Sequence, residues 1–150
     1  MMELLLSVFM GFTLPIMNGD VGAMFTPKNN SVLVVEAYFN ACPYCHQNAP
    51  QVDDLASFYE KESRIEVLDV GVDRRDSDYT SWISKHQPNH LVLKDSDRKI
   101  ISQLGTKSYP STYILNCHGD VVLKTSGVWS KNTRQKIEDA IDAALDVMCD

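Results

Sequence analysis

The chain has no apolar run approaching the roughly 20 residues of a membrane-spanning helix, no cluster of lysines and arginines, and no glycine-rich phosphate loop. It also lacks a serine-triad signature, an internal repeat and any low-complexity tract. Each absence removes a class of function. With 14 Lys and Arg scattered among 20 Asp and Glu, and a net charge of -6, no basic face exists to hold nucleic acid. At 150 residues the chain is one domain, long enough to bury a core on both faces of a sheet. The first 17 residues lack any charge after Glu3. That block is too short to span a membrane and fits the apolar region of a secretory signal, with Val21-Gly22-Ala23 as a cleavage site. Residues 1–23 are therefore expected to be a signal peptide or, alternatively, an apolar arm packed on the domain, and residues 24–150 the domain itself. Export places the protein in the periplasm or outside the cell, and retention places it in the cytoplasm. The block begins with Glu3 where a signal usually carries lysine or arginine, and the expected location is the periplasm or the exterior, with the cytoplasm as the alternative.

Against these absences stands Cys42-Pro43-Tyr44-Cys45. Before it runs Val32-Leu33-Val34-Val35-Glu36-Ala37-Tyr38-Phe39, a nearly continuous apolar and β-branched segment of the kind buried on both faces of a sheet. After it, Ala49, Val52, Leu55, Ala56 and Tyr59 recur at spacings of three and four, with Pro43 in the first turn where a missing amide hydrogen costs little. Cys42 is thus expected at a helix N-terminus. The free amide hydrogens there favour its thiolate, lowering a thiol pKa of about 8.5 to roughly 3.5–7.5 in such motifs. Cys45 lies one turn deeper. The spacing suits making and breaking one disulfide, with Cys42 as the attacking sulfur and Cys45 as the resolving one.

Two rival uses of the motif carry less weight. A zinc site needs two further ligands, and Cys117-His118 is not a second Cys-x-x-Cys, so no metal is expected. Cys42-Pro43-Tyr44-Cys45-His46 also reads as a c-type haem attachment sequence with His46 as ligand, but a strand-turn-helix setting is wrong for a small haem protein. No cofactor is expected. Further along, Ile65–Val72 alternates as a second strand, a helix carries Tyr79, Trp82, Ile83 and His86 on one face, and a short helix holds Ile100, Ile101 and Leu104 before Gly105. His86 and His90 read as packing residues. A last helix from Lys131 to Met148 shows Ile137, Ile141 and Leu145 as a packing stripe.

Three stretches together resemble the thioredoxin superfamily. Glu36 lies six positions before the first cysteine, and Ala49-Pro50 follows where the active-site helix kinks. Ser108-Tyr109-Pro110-Ser111-Thr112 is similar to the cis-proline loop, and Tyr113–Asn116 with Gly119-Asp120 and Val121–Leu123 to the terminal hairpin. The layout resembles the TlpA/DsbE/ResA group, with a glutaredoxin-like Pro43-Tyr44 pair. It departs in having Ala41 where thioredoxins have tryptophan, and Asp69 at the position of the lysine that partners their buried acid.

The resemblance implies an α/β thioredoxin fold, a central mixed sheet of four to five strands with helices on both faces. It implies a protein thiol-disulfide oxidoreductase, with Cys42, Cys45, Glu36 and Pro110 as catalytic residues and Pro43, Tyr44, Tyr109 and Ser111 at the substrate groove. Its expected partners are protein thiols or disulfides and a separate protein that recycles it, with the chain itself a monomer. A non-catalytic redox-sensing or binding module is the alternative. In such a fold Cys117 and Cys149 approach one pole, where they form a structural disulfide or remain two thiols.

Overall fold

The computed structural model of the protein describes residues 11–149. The elements in order are β1 (Leu14–Pro15), β2 (Met24–Phe25), β3 (Val32–Tyr38), α1 (Pro43–Phe58), β4 (Ile65–Gly71), α2 (Asp76–His86), β5 (Leu91–Lys94), α3 (Lys99–Gln103), β6 (Ser111–Leu115), β7 (Val121–Ser126) and α4 (Lys131–Leu145). Five strands form one mixed sheet in the order β5-β4-β3-β6-β7, and β1 and β2 make a separate antiparallel pair. β4 runs parallel to both β3 and β5, whereas β6 is antiparallel to β3 and β7. The fold is an α/β thioredoxin fold.

β3 is the central strand and every residue of it is buried, which is why its apolar run does not alternate. Its two faces meet different layers. Val32 and Val34 pack with Val52 and Leu55 of α1 and with Ile137 and Ile141 of α4. Leu33, Val35 and Ala37 pack with Ile100 and Ile101 of α3 and with Phe12, Leu14 and Phe25 of the N-terminal hairpin. Burying each large apolar side chain contributes roughly 1.5–3 kcal/mol, so neither layer is dispensable. Gly71 closes β4 because a Cβ there would stand 2.7 Å from Tyr79 and 3.0 Å from Tyr38. The Tyr79 hydroxyl, thus admitted, donates to the Gly71 carbonyl at 2.9 Å.

One element differs from the sequence expectation. Leu91–Lys94, unassigned there, is the edge strand β5, pairing with β4 from Leu68↔Leu91 to Gly71↔Lys94. Its own outer edge meets the N-terminal segment, where Ile16 bridges Leu93 and the Met17 N–H donates to the Val92 carbonyl at 2.7 Å. An exposed edge strand is an aggregation template, and this segment covers it. The expected boundary before Met24 falls inside the β1–β2 hairpin, since Met24 pairs with Pro15. The first ten positions of the expected signal segment lie outside the described residues. Among the described residues no helix is long and apolar enough to cross a membrane.

Candidate active site

The C-terminal end of β3 delivers the chain through Phe39 and Asn40 to the first turn of α1. Cys42 is the residue that caps α1, and the Cys45 N–H donates to its sulfur at 3.2 Å. This is one of the amide hydrogens a helix start leaves unpaired, and it now points at sulfur. Cys42 and Cys45 are joined as a disulfide with Cα atoms 5.2 Å apart. Both residues are almost fully covered, at 3% and 2% exposure, so the greater shielding expected for Cys45 is not a feature of the disulfide form. Pro43 and Tyr44 lie on the surface beside them, Tyr44 at 64% exposure.

Opposite the sulfurs stands the loop before β6. The Tyr109-Pro110 bond is cis, and the Tyr109 carbonyl oxygen lies 3.7 Å from Cys42 Sγ. Tyr109 is half-buried against Phe39, with ring centroids 5.3 Å apart in an edge-to-face contact. Pro110 is buried behind it. Ser111, expected to line the groove, points its side chain elsewhere: it is 1% exposed and its hydroxyl donates to the Ser108 carbonyl at 2.6 Å. The side chain braces the loop.

Glu36 lies beneath α1 in a closed hydrogen-bond set. Asn48 Nδ2 donates to Oε2 at 2.7 Å and the Thr112 hydroxyl donates to Oε1 at 2.6 Å. Trp129 fastens both donors, its indole N–H reaching Thr112 Oγ1 at 2.8 Å and its backbone N–H reaching Asn48 Oδ1 at 2.9 Å. Burial raises the Glu36 pKa to about 8; the two hydrogen bonds oppose the rise, the Asp69 charge adds to it and the His90 charge opposes it. Asn48 stands one turn beyond Cys45 on the buried face of α1, so the helix that carries the second sulfur also carries a donor to this carboxyl.

The sequence had pointed to Glu36, but not to Asn48, Thr112 and Trp129 as its cage. An asparagine at the buried face of an amphipathic helix, three residues after a cysteine, is the signal that a reader could have used. His46 packs on Trp82 with ring centroids 4.8 Å apart. Its Nε2 donates to the Asn40 carbonyl and its Nδ1 faces His86 Nε2, both at 2.6 Å. Burial chiefly, and then the neighbouring His46 and Lys85, lower the His86 pKa. With both ring nitrogens of His46 engaged and both sulfurs bonded to each other, these residues do not fit a covalently attached haem.

At the other pole, Cys117 in the β6–β7 turn is joined to Cys149 after α4, Cα to Cα 6.0 Å. His118 stands beside them with its ligand atom within 4.8 Å of both sulfurs, but sulfurs bonded to each other are not thiolate ligands.

This sheet order, with a Cys-x-x-Cys disulfide at the start of the first long helix and a cis-proline loop facing it, defines a thioredoxin-like protein. The chain belongs to the AhpC/TSA family, whose sequence pattern matches residues 10–124. It is 24% identical over 102 residues to the thiol-disulfide oxidoreductase ResA of Halalkalibacterium halodurans, a match covering 67% of this chain and 55% of that protein. The chain thus spans about half the length of this curated relative. Among solved structures it is similar to a protein of Chlorobium tepidum described as a thiol:disulfide interchange protein DsbE, with a TM-score of 0.77, 21% identity and coverage of 89% and 92% of the two chains. StoA from Bacillus subtilis aligns with a TM-score of 0.72 at 13% identity, covering 87% of this chain and 95% of that one.

Proposed function

We propose that the protein is a thiol-disulfide oxidoreductase that exchanges its Cys42–Cys45 disulfide with cysteines of other proteins. The observation that carries this reading is the Cys45 amide donating to Cys42 sulfur at the head of α1, above a caged carboxyl poised near neutrality. A substrate thiolate attacks Cys42 sulfur, the Cys42–Cys45 bond breaks, and Cys45 leaves as a thiolate. Glu36, protonated below its raised pKa, gives Cys45 its proton, directly or through one water. A second substrate thiolate then attacks the mixed disulfide, releasing Cys42 as a thiolate that the helix start stabilises. Two electrons and one disulfide have changed places. The reverse sequence reduces a substrate disulfide, with Cys42 attacking and Cys45 resolving.

Pro43, Tyr44 and Tyr109 form the rim at which an extended substrate strand pairs, and Pro110 keeps an amide hydrogen away from the sulfurs. Ser111 serves that rim from behind, through the loop it braces. A separate redox protein recycles the pair, and the chain works as a monomer. With all four cysteines paired, the protein suits an oxidising compartment outside the cytoplasm, the periplasm of a bacterium. In that setting residues 11–23 stay with the domain as its hairpin arm. Insulin reduction coupled to a dithiol tests the reading. Wild type is expected to accelerate it and Cys42→Ser to lose that acceleration, whereas equal rates in both would leave a binding module.

A further inference from the structure

Under α1 lies a group of ionisable side chains that the exchange reaction alone does not account for. Glu36 and Asp69 are register partners on adjacent parallel strands, so both carboxyls point to the same face, each 3% exposed. Away from water, the neighbouring Asp69 charge adds to the rise in the proton affinity of Glu36. A third residue changes the balance. The His90 side chain is 4% exposed: its Nε2 lies 3.0 Å from Asp69 Oδ1 as an ion-pair contact without hydrogen-bond geometry, and its Nδ1 is shared between Asn89 Oδ1 at 3.0 Å and Asp53 Oδ1 at 3.2 Å. Its backbone is pinned by the N-terminal arm, where Asn18 donates to the His90 carbonyl at 2.8 Å and accepts from the Val92 N–H at 2.9 Å. The second Asp69 oxygen receives the Trp82 indole N–H at 3.3 Å.

An imidazole facing a carboxylate at each nitrogen is held as the doubly protonated cation. Burial alone would push the His90 pKa down, but the Asp69 and Asp53 carboxylates outweigh it and raise it well above the ordinary histidine value. Other titratable groups of this layer are Tyr38 on β3, the Cys42–Cys45 pair and His46 at α1, and Tyr79 and His86 on α2, while Tyr59, Glu60, Glu62 and Glu66 line the same cavity as His90.

We propose that His90 is a positioning residue for disulfide exchange: a buried cation locked between Asp69 and Asp53, it neutralises Asp69 and so sets how readily Glu36 releases its proton to Cys45. This rests on the reading of Glu36 as the proton carrier. A purely structural triad tying β5 to β4 and α1 would change stability and leave the Glu36 titration where it is.

The test is the Glu36 titration in the full-length oxidised protein, followed by its carboxyl infrared band, which Glu36→Gln identifies by removing it. The pH profile of insulin reduction is recorded alongside. His90→Gln is expected to move the Glu36 midpoint up by about one pH unit, tenfold in proton affinity, and Asp53→Asn to move it up by less. Asp69→Asn is expected to move it down. An unmoved or lowered midpoint in folded His90→Gln overturns the proposal. Should that variant fail to fold, an unmoved midpoint in Asp53→Asn, whose side chain is partly exposed, does so. A wild-type pH profile in Glu36→Gln instead overturns the role of Glu36 in exchange, and the infrared band then still reports whether His90 acts on it.

Discussion

The two disulfides are chemically the same bond in opposite surroundings. Cys42 and Cys45, 3 residues apart, stand at a helix start with an amide hydrogen on the first sulfur and a caged acid on the inner side. Cys117 and Cys149, 32 residues apart, tie a hairpin turn to the segment after α4, with the Val147 carbonyl 3.9 Å from Cys117 Sγ and the His118 ring within 4.8 Å of both sulfurs. Each sulfur has a carbonyl nearby, that of Tyr109 for Cys42 and that of Val147 for Cys117, but it is Cys42 that receives an amide hydrogen of a helix start, the group that stabilises a thiolate. Reactivity therefore belongs to one pair and restraint to the other, although both lie within the same small domain. Cys42→Ser is expected to lower insulin reduction by about 10³-fold or more, since the nucleophile is removed outright. Cys149→Ser is expected to leave that rate within about twofold while costing roughly 3 kcal/mol of stability in urea unfolding, because closing a long loop restricts the unfolded chain. If Cys149→Ser slowed exchange as much as Cys42→Ser, the division between the poles would fail.

The acid beneath the reactive pair sharpens the same contrast through pH. Its carboxyl rises from 4.5 to about 8 on folding, so the stability tied to its protonated form is complete below pH 4.5 and is lost as pH climbs towards 8. By linkage the loss is of order 5 kcal/mol, with the hydrogen-bond cage setting how much is realised. His90, raised likewise, contributes stability that fades at still higher pH. Glu36→Gln removes the first of these outright. It is expected to be less stable than wild type near pH 5, where its amide cannot reproduce both acceptor contacts, and more stable near pH 9. It should also slow exchange roughly 10- to 100-fold. Parallel stability curves for the two proteins between pH 5 and 9 would show that the carboxyl does not titrate in that window.

Much of the reactive pole was legible in the sequence, because its signals are local. The apolar run of β3, Pro43 at the first helical turn and the three- and four-residue spacing along α1 fix where Cys42 sits without any tertiary knowledge. The Pro110 loop and the hairpin after it were legible only through the family likeness. β5 was not legible at all: Leu91–Lys94 is four residues between Pro88 and Asp95, too short to show a period. Nor was the start of α3, where Arg98 is the cap residue and the Asp95 carboxylate, three positions earlier, accepts from the N–H groups of Lys99, Ile100 and Ile101. The role of His90 was invisible because it depends on residues 53, 69 and 90 meeting across α1, β4 and β5, and no spacing along the chain encodes that meeting.

The arm that pins His90 gives a further way to test how the two poles are held. Phe12 and Leu14 are buried on the sheet face opposite α1, and the segment after them covers the β5 edge. Deleting residues 1–23 is expected to cost about 4 kcal/mol, two large side chains plus edge pairing, and to promote association through the bared strand. Urea unfolding and light scattering would read both effects. A truncated chain as stable and as monodisperse as the full one would mean that the hairpin contributes nothing to the domain.

The smallest expected effect lies within the reactive pole and separates bracing from contact. Ser111 has its hydroxyl committed to the Ser108 carbonyl and its side chain closed to solvent, while Tyr44 on the facing rim is open. Ser111→Ala removes the one hydrogen bond from its hydroxyl to the Ser108 carbonyl, a loss of about 1 kcal/mol. Because the hydroxyl faces the loop and not the groove, the KM for a protein substrate should stay within about twofold, whereas Tyr44→Ala, which removes an exposed ring from the rim, should raise KM with little change in stability. If Ser111→Ala raised KM and left the urea midpoint unmoved, Ser111 would belong with Tyr44 on the substrate face, and the division between brace and rim would have to be redrawn.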